Sequence, residues 1–167
     1  THILGMLTPD ITNQFHSWLF RAVERTANTA GYDVILCNTD DDPKRFEKVV
    51  MTLAEGHVDG LLLATARTND SAIDLLSELG LPYVLVNRRR EDAKDPWFGP
   101  DAFQAGWIGG EHLLNLGHRR IGAIFGRSEI GNTPGRLEGF LAAFAARGLA
   151  PSQDLLALET NDRDAAI

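Results

Sequence analysis

Several features that define common protein classes are missing from this sequence of 167 residues. Its single cysteine, Cys37, cannot form an internal disulfide, and the apolar run YDVILCN around it predicts a buried core thiol. No apolar run approaches the ~20 residues that a membrane-spanning helix needs. The opening residues THILGML lack the basic start and the small-residue cleavage site of a secretory signal peptide. These absences favour a reducing, cytoplasmic location.

Motifs of catalysis and of nucleotide binding are missing as well. The sequence contains no G-x-G-x-x-G after its first strand, and no G-x-x-x-x-G-K-[ST], G-x-S-x-G, H-E-x-x-H or C-x-x-C. Glu111 and His112 are adjacent, but neighbouring helical residues point in different directions and make a poor metal or acid–base pair. His112 falls on the apolar stripe of its helix, which predicts a core histidine. We therefore expect neither an enzyme nor a metal or cofactor site.

Positive charge is scarce. The chain has 16 Lys and Arg against 23 Asp and Glu, a formal net charge of −7. Its basic clusters, NRRRED and GHRRIG, hold three cations or fewer each. An acidic chain with such short basic clusters binds a phosphate backbone poorly, so we do not expect this piece to bind DNA by itself.

The sequence does have a regular alternation of apolar runs and amphipathic segments. The runs ILGML, YDVILCN, VDGLLLAT, LPYVLVN, RIGAIFG and DLLALET predict strands. Apolar residues at intervals of three and four predict helices between them, at residues 15–30, 44–55, 73–79, 102–116 and 137–147, each ending at a glycine. Trp18 is assigned to the core face of the first helix, and Pro43 to the first turn of the second.

This alternation predicts parallel βαβ units, and the nearly continuous apolar character of the strands predicts burial on both sheet faces. The segment RRREDAKDPWFGPD interrupts the pattern and predicts no regular element. Four units precede the interruption, and one and a half follow it. The second group has too few strands to bury both faces of a sheet, so we expect a chain truncated relative to its parent protein.

In open parallel sheets, ligands bind outside the C-terminal ends of the strands. The loops at those ends are TPDITNQF, NTDDDP, ATARTND, NRRRED and GRSEIGNTPGR. They are rich in Asn, Asp and Arg, which hydrogen-bond hydroxyls, and they carry an aromatic ring that can cover an apolar ring face. The first of these loops brings Asp10, Asn13, Phe15 and His16 to the ligand edge.

Five segments occur in the order and spacing of a known family: ILGMLTPDITNQF, GYDVILCNTDDDPKRFEKVVMTLAEGHVDGLLLA, LPYVLVNRR, GGEHLLNLGHRRIGAIFG and GRLEGFLAAFAARGL. Through them the whole chain resembles the effector-binding domain of LacI/GalR-type transcriptional regulators. The resemblance implies an α/β fold of periplasmic-binding-protein-like type I, with two lobes that each hold a parallel sheet flanked by helices. Residues 1–101 would form the N-terminal lobe, and residues 102–167 the start of an incomplete C-terminal lobe.

The function implied by this resemblance is effector sensing and dimerisation in a transcriptional repressor that binds a small sugar-like metabolite between its lobes. Operator DNA would be bound only through an N-terminal helix-turn-helix, which is absent from this chain. A homodimer would form through the helix at Lys44–Glu55 and the helix after Thr68. The alternative is a periplasmic sugar-binding protein of a transport system, although GHRRIGAI and GRLEGF favour the regulator.

The resemblance also implies binding residues. Phe15 and His16 match an aromatic pair that closes over the effector, Arg88 matches a position directly after the fourth strand, and Arg136 matches an arginine that reaches the ligand from the second lobe. Asn132 is in the same loop as Arg136.

Alternative roles remain open for several of these residues. Phe15 could instead be a hydrophobic staple, and Asp10 and Asn13 could be turn and cap residues. At the position where the family usually has the sequence DN, this chain has PDA. Pro100 and Asp101 therefore depart from the family pattern, and Asp101 is still counted among the residues that line the site.

Overall fold

The computed structural model describes residues 1–64, 72–87, 94–126 and 132–157. The chain divides into two compact units, Thr1–Phe98 and Gly99–Ile167. We describe each unit by itself. Within the described ranges, no helix is both long enough and apolar enough to cross a membrane.

The first unit is a five-stranded parallel sheet with its connecting helices. Its elements in chain order are β1 (Ile3–Thr8), α1 (Gln14–Thr29), β2 (Asp33–Asn38), α2 (Pro43–Ala54), β3 (Gly60–Leu63), α3 (Ala72–Leu79), β4 (Tyr83–Val86) and β5 (Trp97–Phe98). The strand order is β2-β1-β3-β4-β5, and every neighbouring pair is parallel. The predicted alternation of strands and helices is therefore confirmed over this unit.

Local sequence signals fix the ends of these helices. Asp42 caps α2 by accepting hydrogen bonds from two backbone N–H groups, and Pro43 occupies the first turn as predicted. The predicted glycine stops all have positive φ: Gly31 at 81°, Gly56 at 91° and Gly80 at 66°. In the second unit Gly117 and Gly148 follow the helices in the same conformation.

The core of the first unit lies between the sheet and helices α2 and α3. Leu7, Leu63 and Leu85 are adjacent across the sheet and fully buried. They belong to one cluster with Phe46 and Val50 of α2 and with Ile73 and Leu76 of α3. Complete removal of these aliphatic side chains from water is the main source of stability for such a layer.

The second unit packs two helices against a short sheet. Its elements are α4 (Ala102–Asn115), β6 (Ala123–Ile124), α5 (Thr133–Ala145), a 3₁₀ turn (Gln153–Leu155) and β7 (Leu156–Ala157), with β6 and β7 parallel. Leu114, Ile121, Phe140, Ala143 and Phe144 form its core.

Four sequence predictions about elements and core positions are wrong. Trp18 is 66% exposed, because α1 turns the stripe through His16 and Ala27 to the protein instead. His112 is exposed on α4. Cys37 is only half-buried at the border of the core, although its burial still raises the pKa of its thiol. The interrupting segment contains β5, which is too short to show a periodicity, and Trp97 pairs there with Leu85.

Candidate functional site

The loop between β1 and α1 is held in place by its own hydrogen bonds. The Asp10 carboxylate accepts from the Thr12 backbone N–H at 2.8 Å and from the Thr12 hydroxyl at 2.6 Å. Both hydrogen bonds lower the pKa of Asp10 below its ordinary value, and the one from the Thr12 hydroxyl has the larger effect. The Asn13 side chain accepts from the Phe15 backbone N–H at 3.0 Å and caps α1. The turn and cap roles are therefore observed for Asp10 and Asn13.

The end of β2 and helix α1 also brace this loop. The Ile11 backbone N–H donates to the Asn38 side-chain oxygen at 3.0 Å, which ties the loop to the end of β2. The Ser17 hydroxyl donates to the Ile11 carbonyl at 2.9 Å from within α1. Asn38 is a residue that the sequence reasoning missed, and its only signal was its place as a polar residue closing an apolar strand.

Phe15 and His16 form an edge-to-face aromatic pair with ring centroids 5.3 Å apart. Phe15 is 47% exposed, whereas His16 is 5% exposed. A hydrophobic staple pairs the residue before the cap with the fourth residue of the helix. Here those positions are Thr12 and Ser17, so Phe15 does not have the position of a staple. Its exposed ring lies at the C-terminal edge of the sheet, above a largely buried imidazole.

The ends of β1 and β2 are joined beneath the loop. The backbone N–H and the hydroxyl of Thr39 both donate to the Thr8 carbonyl, at 2.8 and 3.2 Å. Thr8 and Thr39 are fully buried. The Thr8 hydroxyl has no hydrogen-bond partner among the described residues. Nothing in the sequence around Thr8 predicts this feature, because Thr8 has the pattern of an ordinary last residue of an apolar strand.

Arg88, predicted to bind the effector, lies outside the described residues. The residue before it, Asn87, directly follows β4 and has a φ of 65°, in the left-handed region.

In the second unit, Asp101 and Asn132 lie at helix N-termini. The Asp101 carboxylate accepts from the Gln104 backbone N–H at 2.9 Å and caps α4, and Asp101 is exposed. Asn132 precedes α5 and is 6% exposed, and its side chain makes no capping hydrogen bond. Asn132 is therefore buried, whereas Asp101 lies on the surface.

Arg136 lies in the first turns of α5 and is exposed. Its backbone N–H donates to the Asn132 carbonyl at 3.2 Å, as the regular helix requires. An arginine is charged at every physiological pH and presents a planar fork of donors, which suits paired hydroxyls or a carboxylate.

A surface cavity of about 420 Å³ lies elsewhere on the first unit, between β2 and α2. Its lining includes Cys37, Arg45 and Lys48 and contains none of the predicted site residues. Arg45 pairs there with Asp40. Over the described ranges, no group of three or more His, Cys, Asp or Glu could hold a metal ion.

A parallel α/β unit with polar loops at the C-terminal ends of its strands has the arrangement in which open α/β sheets bind ligands. The family described as periplasmic binding proteins and sugar binding domain of the LacI family matches residues 1–167. The chain belongs to this family. The predicted fold class and the family resemblance are thereby confirmed.

Individual relatives agree with this assignment. The ribose operon repressor of Escherichia coli (strain K12) is 34% identical over 152 residues, covering 89% of this chain and 46% of the repressor. A solved structure assigned as a ribose operon repressor from Burkholderia thailandensis is 34% identical, with a TM-score of 0.85 over 99% of this chain and 62% of that one. A LacI family transcriptional regulator from Enterococcus faecium, with bound ribose, is 30% identical, with a TM-score of 0.77 over 93% of this chain and 56% of that one.

The chain spans about half the length of the curated relatives it matches. These relatives are transcriptional regulators and repressors.

Proposed function

We propose that this chain is the effector-sensing and dimerisation domain of a LacI-type transcriptional repressor that binds a small sugar or a related polyhydroxylated metabolite. The observation that carries the proposal is the braced loop after β1, which presents a half-exposed Phe15 beside two polar side chains at the ligand edge of the sheet. The 34% identity to a ribose operon repressor supports the sugar as the ligand class.

Each binding residue has a chemical role in this proposal. The Phe15 ring covers the apolar face of the sugar, and the oxygens of Asp10 and Asn13 that remain available accept from its hydroxyls. Arg136 donates its fork of N–H groups from the second unit. Arg88, His16, Asn132 and Asp101 are supporting contacts, with His16 acting through the ring of Phe15.

The ligand regulates by binding one arrangement of the two units more tightly than another. A sugar that contacts both Phe15 and Arg136 stabilises the arrangement in which both contacts form. The ligand can shift the equilibrium between arrangements only by the difference between its affinities for them. Operator DNA is bound through an N-terminal helix-turn-helix of the parent protein, in the cytoplasm, and this acidic piece alone binds DNA weakly.

The experiment is calorimetry of the parent protein with D-ribose, D-xylulose, D-fructose and a free purine base. Binding of a sugar supports the proposal, and binding of the purine base alone contradicts the ligand class. Arg136→Ala should weaken sugar binding by roughly 1.5–3 kcal/mol, the scale of a hydrogen bond to a charged group. That is about a tenfold to hundredfold loss of affinity. Arg25→Ala, which removes the same charge from an exposed position on α1, is the control and should bind like the parent.

The second candidate function is a periplasmic sugar-binding protein that serves a transporter, which the family description also includes. The two functions are distinguished by the parent reading frame. A helix-turn-helix upstream of Thr1 supports the repressor, and a secretory signal peptide in its place supports the transport protein.

A further inference from the structure

Helices α4 and α5 touch through small residues spaced four apart. On α4 these are Ala102, Gly106 and Gly110, and on α5 they are Gly135, Gly139 and Ala143. Residues four apart lie on one face of a helix, so each set forms a stripe without bulky side chains. The contacts run in the same direction along both helices, because Ala102 meets Gly135 and Gly110 meets Ala143. The two helices therefore pack parallel to each other.

The central contact is made by backbone atoms. A Cβ atom placed on Gly106 would lie 1.9 Å from the carbonyl oxygen of Arg136. A Cβ atom placed on Gly139 would lie 1.9 Å from the carbonyl oxygen of Phe103. No flexible side chain can yield at either place, because the obstructing atoms belong to helical backbone. Only glycine allows the helices to approach this closely.

The residue touched by Gly106 is the one that carries the proposed effector contact. The carbonyl of Arg136 rests against Gly106, while its side chain is exposed. Any residue larger than glycine at position 106 has to displace the first turns of α5, and the guanidinium moves with them. A shift of the supporting shell by about 1 Å is enough to spoil a preorganised site.

We propose that Gly106 is a positioning residue for effector binding, with Gly139 completing the contact from the other helix. The glycine pair sets the separation of α4 and α5 and so fixes where Arg136 stands relative to the N-terminus of α4. This inference rests on the proposed function, in which Arg136 binds the effector.

The chain offers matched controls for the test. Gly109 lies on the same helix as Gly106, but a Cβ atom there meets nothing within 4 Å. Gly110 and Gly135 are both crowded, because a Cβ atom on either would lie 3.1 Å from an alanine Cβ, and Gly110 is the more crowded, since its Cβ would also lie 3.3 Å from the Phe140 carbonyl oxygen. Of these two, only Gly135 is adjacent to Arg136. Comparing the Kd values of Gly110→Ala and Gly135→Ala therefore separates displacement of Arg136 from the general effect of crowding between the two helices.

The experiment measures the Kd for D-ribose by calorimetry, with thermal melts, in the parent protein and its variants. Gly106→Ala should weaken binding by at least about tenfold, because misplacement of a binding group by about 1 Å can cost a hundredfold. Gly109→Ala should leave the Kd unchanged and raise the Tm, because alanine is the better helix former. If Gly106→Ala does not fold, Gly135→Ala replaces it and should weaken binding more than Gly110→Ala does.

A double-mutant cycle distinguishes failure of the positioning role of Gly106 from failure of the proposed binding site. If Gly106 acts through Arg136, then Gly106→Ala should change the Kd by less than about twofold in a protein that already carries Arg136→Ala. The same holds for Gly135→Ala where it replaces Gly106→Ala. An equal loss in both backgrounds overturns the positioning role, and so does a parent-like Kd in the single variant. If the parent protein does not bind D-ribose, or if Arg136→Ala binds it as tightly as the parent does, the proposed site is wrong. The positioning role of Gly106 is then wrong as well.

Discussion

At the scale of single residues, the polar side chains predicted for the site serve the backbone first. Asp10 closes a turn, Asn13 caps α1 and Asp101 caps α4. Each of these roles is local, because the acceptor bonds a backbone N–H two or three residues further along the chain. A carboxylate or amide that caps a helix still has unused lone pairs, so capping also holds the remaining acceptors in one orientation. Phe15 and Arg136 are exposed.

Phe15→Ala tests the role of the exposed ring. Because the side chain is 47% exposed, its removal should lower the Tm of the parent protein only slightly, while sugar affinity falls by about tenfold for loss of an aromatic contact face. Calorimetry and thermal melts on the same sample measure both. Trp18→Ala removes an even more exposed aromatic ring from the same helix and should leave the affinity unchanged. A large loss of Tm with unchanged affinity would make Phe15 a structural residue.

The sequence allowed the turn and cap roles of Asp10 and Asn13 to be predicted as an alternative to binding, because capping depends on neighbouring residues alone, whereas the cap role of Asp101 was not predicted. It did not allow the orientation of α1 to be predicted. Two faces of α1 have residues at helical intervals. One contains Phe15 and Trp18, and the other contains His16 and Ala27. Packing against the sheet selects between them, and it buries the polar His16 in preference to the larger apolar Trp18. Hydrophobic spacing cannot foresee that choice.

At the scale of elements, β1 and β2 follow their sequence closely, because they pair with each other over all six residues. In the second unit, β6 is shorter than the apolar run that predicted it. RIGAIFG yields β6 at Ala123–Ile124, and DLLALET yields a 3₁₀ turn followed by β7 at Leu156–Ala157. The length of a strand is set by the neighbour that it pairs with. An apolar run therefore predicts that a strand exists better than it predicts its ends.

Asp101→Ala tests whether the capping of α4 matters to stability. Loss of the acceptor for the Gln104 N–H should destabilise the protein by about 0.5–2 kcal/mol, the usual cost of removing a helix cap. Asp101→Asn keeps an acceptor in the same place, so it should recover most of that loss. Chemical denaturation measures both variants. Equal destabilisation by Ala and Asn would show that the charge, and not the cap, is what stabilises α4.

At the scale of the whole molecule, apolar side chains remain on the surface of the first unit. Ile35 of β2 and Met51 of α2 are about two-fifths exposed, and α2 also lines the 420 Å³ cavity. Apolar surface combined with a concave site is typical of an interaction surface. This surface supports the proposal that the parent protein dimerises through α2, in keeping with the twofold symmetry of operators.

Met51→Lys tests this arrangement. A buried cation is costly at an apolar interface, so the substitution should convert a dimeric parent protein into monomers at micromolar concentration. Sedimentation velocity measures the change. Ile108→Lys places the same charge on an exposed apolar residue of α4 and should leave the dimer intact. A parent protein that sediments as a monomer, or a Met51→Lys variant that stays dimeric, contradicts the assignment of α2.

The two edges of the five-stranded sheet are unequal. The β5 edge is two residues long, whereas β2 runs for six residues and pairs only with β1 among the described strands. A long edge of this kind is a template on which another chain can add a strand and begin to aggregate. Asp33 begins β2, and Asp40 and Asp41 follow it, whereas no Lys or Arg lies between Asp33 and Pro43 in the sequence. A second copy adding its own β2 there brings like charges together. We therefore expect these acidic residues to act as gatekeepers that oppose growth of the sheet by fibrillar association.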